Sequence, residues 1–482
     1  MTAAIEPVIV GAGPAGLRAA QALADAGLAP VLIDESPKVG GQIYRQTPDG
    51  MTRDHRALYG FEHGKARAVH GILDKLAGRV DYRPGTVVWN AEGRTLYLQS
   101  GGLIGGVSFT HLILATGATD RVLPFPGWVT PGVYTLGGAQ VSLKYQGCAI
   151  GRRVVFAGTG PLLYLVAYQY AKAGARVVAV LDTAKVSDQA KALPGLIRAP
   201  ALLAKGLWYA GWLRAHGVPV RTGVRLLEAR GAERVESFVW ERHAGDADSV
   251  RETACDAVGF GYALRAETQL ASLLGCEFQF DERDRAWLPV RDDVGRASRP
   301  GVYLVGDGRG IAGADAAEIS GELAALALLS DVGMVSDPVR THLLTARARR
   351  VEAVRDTLEK IFPFPRDWAA RADDDLVVCR CEEITAGQIR RAVREDGAHE
   401  MNRVKALTRA GMGRCQSRMC GLAAAEIVAC EAGLNVSEVG RVRSQPPVKP
   451  LIIGAFEPAR AEGKPMSHPG SRASRTGGDA RG

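Results

Sequence analysis

Four cysteines stand in two close pairs: Cys379 and Cys381 as C-x-C, Cys415 and Cys420 as C-x4-C, with thirty-three residues between the pairs. Four thiolates so spaced can hold a [2Fe-2S] cluster or a tetrahedral zinc ion, and spacing alone does not choose between them. The other four, Cys148, Cys255, Cys276 and Cys430, are scattered. In a reducing compartment the dense group reads as a metal site and not as disulfides. Cys430 lies ten positions past Cys420 and is expected to be a buried core residue and not a fifth ligand.

Two glycine-rich turns offer a second chemistry. The segment from Val8 to Gly16 reads VIVGAGPAG and leads through a helical stretch to a strand, Val31 to Ile33, that ends at Asp34. This is a complete βαβ dinucleotide fingerprint. Gly11 permits the tight turn, Gly13 lets the backbone approach a pyrophosphate, and Gly16 allows helix and sheet to pack closely. Asp34, twenty-three positions after Gly11, is where a carboxylate can accept hydrogen bonds from a ribose. The pattern repeats 147 residues later in RVVFAGTGPLL, with Gly158 and Gly160 but Leu163 in place of the third glycine. There, a bound nucleotide and a vestigial Rossmann unit are equally good readings. If a nicotinamide nucleotide binds, Asp182 favours NADH, because a carboxylate suits a 2′-hydroxyl better than a 2′-phosphate.

These turns need strands and helices to hold them. Thr110 to Arg121 reads as a buried strand closing on Ala115, Thr116 and Gly117, and Pro124, Pro126 and Pro131 then break the chain. A matching segment from Gly301 through Gly306 and Asp307 precedes an alanine-rich helix, Ala314 to Leu329. Such pieces imply a first domain that wraps around an inserted second one. The fold class is therefore α/β: two Rossmann-like domains, one inserted in the other, plus a small four-cysteine domain. Gly421 to Ala432 should form a helix whose N-terminus faces the cysteine site, and Arg380, Lys405, Arg409, Arg414 and Arg418 lie close enough in sequence to compensate a bound anion. Trp208, Tyr209 and Trp212 share a helix, where core packing is the first reading and a subunit interface the second.

Composition narrows the rest. The 58 glycines among 482 residues fit nucleotide-binding turns, and the net charge of +8 is spread without a basic block, which argues against nucleic acid. The most apolar stretch, Leu202 to Leu213, is short and contains Lys205, so no bilayer span is expected. The N-terminus reads as a first strand and not a signal peptide, which points to the cytoplasm. Nine scattered histidines give no acid–base constellation, so no catalytic residue is assigned.

With these motifs in this order, Ile5 to Leu329 resembles the two-dinucleotide-binding-domain flavoproteins of the glutathione reductase and thioredoxin reductase type. The resemblance implies FAD in the first unit, with Asp34 at the adenosine ribose, although glutamate is commoner there. It places Gly41 and Gln42 along the flavin, the Val87 backbone at the adenine, and Thr116 and Gly117 near the cofactor. Gly306 and Asp307 fall at the ribityl and pyrophosphate region. A redox-active cysteine pair is absent before the second unit, which offers Cys148 alone, so disulfide reduction is disfavoured. The cysteine module resembles the bacterioferritin-associated-ferredoxin-like domain, which favours a [2Fe-2S] cluster over zinc at Cys379, Cys381, Cys415 and Cys420. The implied boundaries are 1–120 with 292–335 for a discontinuous FAD-binding domain, 121–291 for the inserted unit, 336–375 for a connector, 376–445 for the cluster domain and 457–482 for a disordered tail.

Flavoprotein followed by this module is similar to the FAD- and iron–sulfur-containing subunit of the hydrogen cyanide synthase, opine oxidase and hydroxyproline or proline dehydrogenase complexes. The resemblance implies an electron-transferring subunit that works on CH–NH or CH–NH2 donors. Its expected partner is a glycine/D-amino-acid-oxidase-type flavoprotein subunit; the presence of a small third subunit, like that of a peripheral link to an electron acceptor, is left open. A self-sufficient NAD(P)H-dependent reductase is the alternative, and a docking protein with a redox-silent flavin is a third.

Overall fold

A computed structural model describes residues 5–192, 194–195, 200–242, 249–334 and 337–452. The segment 457–482, expected to lack fixed structure, lies outside the described residues. The first sheet is parallel and five-stranded, in the order Val302–Leu304, His111–Leu114, Pro7–Val10, Val31–Ile33 and Asp81–Arg83. The central strand is buried at every position, as a continuous apolar run covered on both faces should be. Val302–Leu304 pairs with His111–Leu114 across nearly 190 residues of intervening chain. On one face the helix Pro14–Asp25, with proline in its first turn, packs against the alanine-rich helix Ala314–Asp331.

The intervening chain builds a second parallel five-stranded sheet: Val220–Thr222, Arg176–Asp182, Arg153–Thr159, Ala257–Tyr262 and Val133–Thr135. The two sheets are joined by an antiparallel pair, Ala118–Asp120 with Leu264–Ala266. Each also carries a three-stranded antiparallel appendage, Thr86–Glu92 with Thr95–Ser100 and Leu103–Ser108 on the first, and Arg225–Arg230 with Ser237–Glu241 and Val250–Ala254 on the second. Residues 338–361 form one long helix, capped by Asp337, that packs along Ala314–Asp331.

The cysteine region is a short hairpin, Val377–Cys379 with Ile384–Thr385, and three helices: Ala386–Asp396, Met401–Thr408 and Gly421–Ala432. Thr385 and Gln388 form a reciprocal capping box that starts the first helix. This region does not hang on a tether. A continuous apolar core runs from Val155 and Phe260 of the second sheet through Trp128 and Trp368 to Val378, Ile389 and Ile427. The indole of Trp128 donates to Val377 O (2.6 Å) and that of Trp368 to Pro124 O (2.8 Å), so two tryptophans pin the region to the turn after the first domain. No helix among the described residues is long and apolar enough to cross a membrane.

Candidate cofactor sites

The first glycine turn is shaped for a bound phosphate group. A Cβ on Gly11 would stand 2.2 Å from Ala115 O and one on Gly16 would stand 1.8 Å from Gly11 O, so neither position accepts a larger residue while the backbone holds its course. Gly13 faces Gly41, whose φ is +62° and whose Cβ would lie 3.0 Å from Gly13 Cα. These two glycines leave bare backbone on either side of the helix N-terminus, as a pyrophosphate requires. Asp34 accepts from Ala12 N and Ser36 N, both at 2.6 Å, which fixes its carboxylate beside the turn while the residue stays partly exposed. Burial raises its carboxyl pKa against those two hydrogen bonds. Thr86 N donates to Asp34 O (2.9 Å), bringing Val87 to the same end. At the other end, Asp307 accepts from Ala312 N and Gly313 N at 2.9 Å each, and Gly308 packs on Thr116 next to Gly117. Gln42 is exposed beside Gly41. The residues expected to hold FAD are thus gathered along the C-terminal ends of the first sheet's strands, and they fit it.

The second turn differs where it matters. A Cβ on Gly158 would meet Gly261 O at 1.9 Å, so this glycine is required for strand packing. Gly160 caps the following helix with φ +112°, and Leu163 is fully buried. Asp182, expected to face a ribose, is 0% exposed. Its carboxylate accepts from Thr159 Oγ1 (2.8 Å), Tyr164 OH (2.7 Å) and Ala184 N (2.9 Å), and burial pushes its pKa up to about 6. At the first turn the equivalent carboxylate is held by backbone amides alone. Here two buried side-chain hydroxyls engage the carboxylate instead.

The four predicted ligands meet. Cys379 and Cys420 are buried, Cys415 is half-buried and Cys381 is exposed. The Cys420 thiol lies within hydrogen-bonding reach of both Cys379 and Cys415, and Cys381 within reach of Cys415, which links all four sulfurs. Hydrogen bonding from Cys420 lowers the pKa of Cys379 to about 6 and also lowers that of Cys415; such thiols give up their protons to a metal readily. A dinuclear cluster takes two sulfurs per iron, and four thiols within mutual reach fit it. Gly413 makes the approach possible, since a Cβ there would lie 2.2 Å from Cys381 Cβ. The loop itself is unusual, with Gln416 and Ser417 both left-handed at φ +50° and +62°. As expected, a helix spans Gly421–Ala432 behind Cys420. Cys430, however, is exposed on that helix and is not a core residue.

Four of the five basic residues near the ligands have protein partners, and Arg414 is exposed. Arg409 pairs with Glu382, Lys405 donates to Gln445, and Arg380 stacks on Trp128. Arg418 makes the contact with the widest reach: its Nε lies 2.5 Å from Glu267, with both side chains about 90% buried. Burial would raise the pKa of Glu267, but Arg418 holds it below the usual carboxylate range. The Glu267 backbone in turn donates to Gly117 O (2.9 Å) and accepts from Thr116 Oγ1 (2.6 Å). Arg265 Nη1 donates to Ser417 O and Arg418 O (3.1 and 2.9 Å), and Gln269 Nε2 donates to Gln416 O (2.7 Å). One strand-and-turn, 264–269, therefore clamps the cysteine loop against the Thr116–Gly117 turn. The clamping roles of Arg265, Glu267 and Gln269 are set by partners about 150 residues away in sequence and not by local spacing.

Among the aromatics, Tyr209 is in the core beside Tyr168, whereas Trp208 is 38% exposed next to the exposed Phe61. Core packing thus accounts for the tyrosine and for only part of the tryptophan.

Comparison with known proteins agrees with this arrangement. The pyridine nucleotide-disulphide oxidoreductase family profile matches residues 6–321, and that of the BFD-like [2Fe-2S] binding domain matches residues 377–429. The chain is 37% identical to one of the opine oxidase subunits of Rhizobium meliloti, over 92% of this chain and 86% of that protein. It is 33% identical to the hydrogen cyanide synthase subunit HcnB of Pseudomonas aeruginosa, over 94% of this chain and 98% of that protein. In fold it is similar to L-proline dehydrogenase from P. horikoshii, with a TM-score of 0.69 at 20% identity, covering 94% of this chain and 79% of that one. The chain therefore belongs to the pyridine nucleotide-disulphide oxidoreductase family, in the group typified by these opine oxidase and hydrogen cyanide synthase subunits: it is an FAD- and [2Fe-2S]-containing oxidoreductase subunit that transfers electrons in the oxidation of amine or amino-acid donors.

Proposed function

We propose that this chain is the electron-transferring subunit of a hetero-oligomeric dehydrogenase of the opine, hydroxyproline/proline or glycine type, partnered by a glycine/D-amino-acid-oxidase-type flavoprotein subunit. The observation that carries the reading is the clamp 264–269, which ties the turn at Thr116 and Gly117 directly to the cysteine loop. Bound FAD supplies a two-electron couple and the [2Fe-2S] cluster a one-electron couple, so holding them together makes a two-to-one-electron converter.

The chain's own residues hold, insulate and tune. In this reading Gly11, Gly13 and Gly16 cradle the FAD pyrophosphate, Asp34 and Val87 take the adenosine end, and Gly41, Gln42, Thr116, Gly117, Gly306 and Asp307 line the remainder. Cys379, Cys381, Cys415 and Cys420 are the cluster ligands, and the N-terminus of Gly421–Ala432 and the Arg418 guanidinium offset its negative charge. The working parts are 1–120 with 292–335, 121–291 and 376–445, with 336–375 as a brace between them. Gly158 serves strand packing and Gly160 the positive-φ turn ahead of the helix, and the Asp182 carboxylate, already bonded to Thr159 and Tyr164, weighs against the NAD(P)H reductase reading.

Co-expression with an oxidase-type flavoprotein subunit, co-purification and a screen of opines, proline, hydroxyproline and glycine with an artificial electron acceptor tests this. Turnover should require both chains. Full-rate amine oxidation by this chain alone, or rapid flavin bleaching by NADH or NADPH, would defeat it.

A further inference from the structure

The stretch 445–452 leaves the cysteine region and returns to the first domain. Val448 is 1% exposed and packs in the core that contains Ile33 and Val88, while its N–H donates to Trp89 O (2.9 Å). Beside it Lys449 Nζ pairs with Glu35 (2.8 Å), and Ile452 and Gln99 exchange two hydrogen bonds of 3.0 Å each. Every one of these partners borders the expected adenosine end. Glu35 follows Asp34, Val88 and Trp89 follow Val87, and Gln99 is the cross-strand neighbour of Val87. The stretch has no helix or strand of its own, so these contacts set where it lies.

The same stretch meets the cysteine loop. Val448 O accepts from Arg418 Nη1 (2.6 Å), and Arg418 stands between Cys415 and Cys420 with its Nε on Glu267. One guanidinium therefore joins the cysteine loop to the adenosine end through Val448, and to the Thr116–Gly117 turn through Glu267. We propose that 445–452 is a strap that retains FAD, tying Glu35, Trp89 and Gln99 together beside Asp34 and Val87, and that Arg418 couples FAD affinity to occupancy of the cysteine site. The proposal rests on the reading that places the adenosine at Asp34 and Val87. The strap residues act by positioning, since they hold the strands that meet the cofactor. Such coupling is reciprocal: the factor by which a bound cluster tightens FAD is the factor by which bound FAD tightens the cluster.

The test measures the FAD dissociation constant of the purified full chain, from free-flavin fluorescence after ultrafiltration at graded dilution, with cluster absorbance recorded alongside. Cys415→Ser, which loses the cluster, should weaken FAD about tenfold, the scale of one hydrogen bond to a charged group. A chain ending at Ser444 should weaken it by about tenfold or more, and there Cys415→Ser should add little, because the link it breaks is already gone. Lys449→Glu should weaken FAD by only about fivefold, as the ion pair is a third to a half exposed, and Glu35→Lys in the same chain should restore it. If the shortened chain does not fold, hydrogen exchange decides: the Val448 and Ile452 amides of full-length Cys415→Ser should exchange about tenfold faster than in the loaded protein. Unchanged FAD affinity in the shortened chain, unchanged affinity or strap exchange on cluster loss, or no rescue by Glu35→Lys would overturn the strap. Asp34→Ala separates this failure from that of the site reading. Release of FAD by Asp34→Ala alone would sink the strap and leave the adenosine placement standing, whereas tight FAD in Asp34→Ala would sink both.

Discussion

The contact between Glu267 and Arg418 is the sharpest test of how the cysteine loop is held. The two side chains are 10% and 11% exposed and 2.5 Å apart, with Arg265 bonded to the same loop. Glu267→Gln removes the carboxylate at this contact and leaves two guanidinium groups uncompensated, which should cost about 3–5 kcal/mol. Arg418→Met loses the pair and the bond to Val448 O (2.6 Å), but Arg265 still compensates Glu267, so a smaller loss of about 2–3 kcal/mol is expected. If the pair acts as a unit, the double variant should recover about 2 kcal/mol of the summed losses. Because several packed regions unfold together, global denaturation is a poor reporter. Native-state hydrogen exchange at amides of 411–421 reads the loop itself. The folded pKa of Glu267 lies below 4.5, so its contribution should be complete above that pH and be lost only as pH falls through the lower, folded value. A coupling under about 0.5 kcal/mol, or loop exchange unchanged in Glu267→Gln, would refute the clamp.

Three further outcomes follow from the geometry. Gly16→Ala drives a Cβ to 1.8 Å from Gly11 O and should destabilise by about 4 kcal/mol with loss of flavin, whereas Gly117→Ala, left-handed at φ +71° but with nothing within 4 Å, should lose only about 1 kcal/mol; equal effects in a flavin-retention assay would contradict the packing argument. Cys381→Ser should abolish the cluster's absorbance and electron paramagnetic resonance signal, while Cys430→Ser, on the exposed side of its helix, should leave both intact. Lys144 is 2% exposed, donates to Ile43 O (2.9 Å) and is pushed by burial down to about 7, below the 10.5 of the free side chain. The unfolded chain therefore holds the extra proton between those values, and stability should rise by up to about 1.4 kcal/mol per pH unit above pH 7. Lys144→Met should lack that rise in melting temperature, and an identical pH slope in the two proteins would count against the buried, neutral amine.

What could be read from sequence was local. Gly11, Gly13, Gly16 and Asp34 announce themselves because a tight turn, a phosphate approach and a ribose contact each demand one residue type at a fixed spacing. The cysteine pairs do the same for a metal. The role of Asp182 was not legible, because its closure depends on Tyr164 and Thr159, hydroxyl side chains whose direction is set by packing and not by spacing. The exposure of Cys430 was missed for a related reason: the helix Gly421–Ala432 is apolar over most of its length, and the one face left open is chosen by its neighbours. The clamp through Arg265, Glu267 and Gln269 was invisible because each partner lies about 150 positions away.

If this chain joins two redox centres in one electron path, both must change during a single turnover. Rapid mixing of the co-purified two-subunit complex with its amine substrate, with flavin absorbance and the cluster's electron paramagnetic resonance signal followed in the same time course, reads both at once. The cluster signal should grow in step with substrate oxidation, and Glu267→Gln should slow it without removing either cofactor. Substrate oxidation and acceptor reduction at full rate with the cluster silent throughout would contradict a path through this chain.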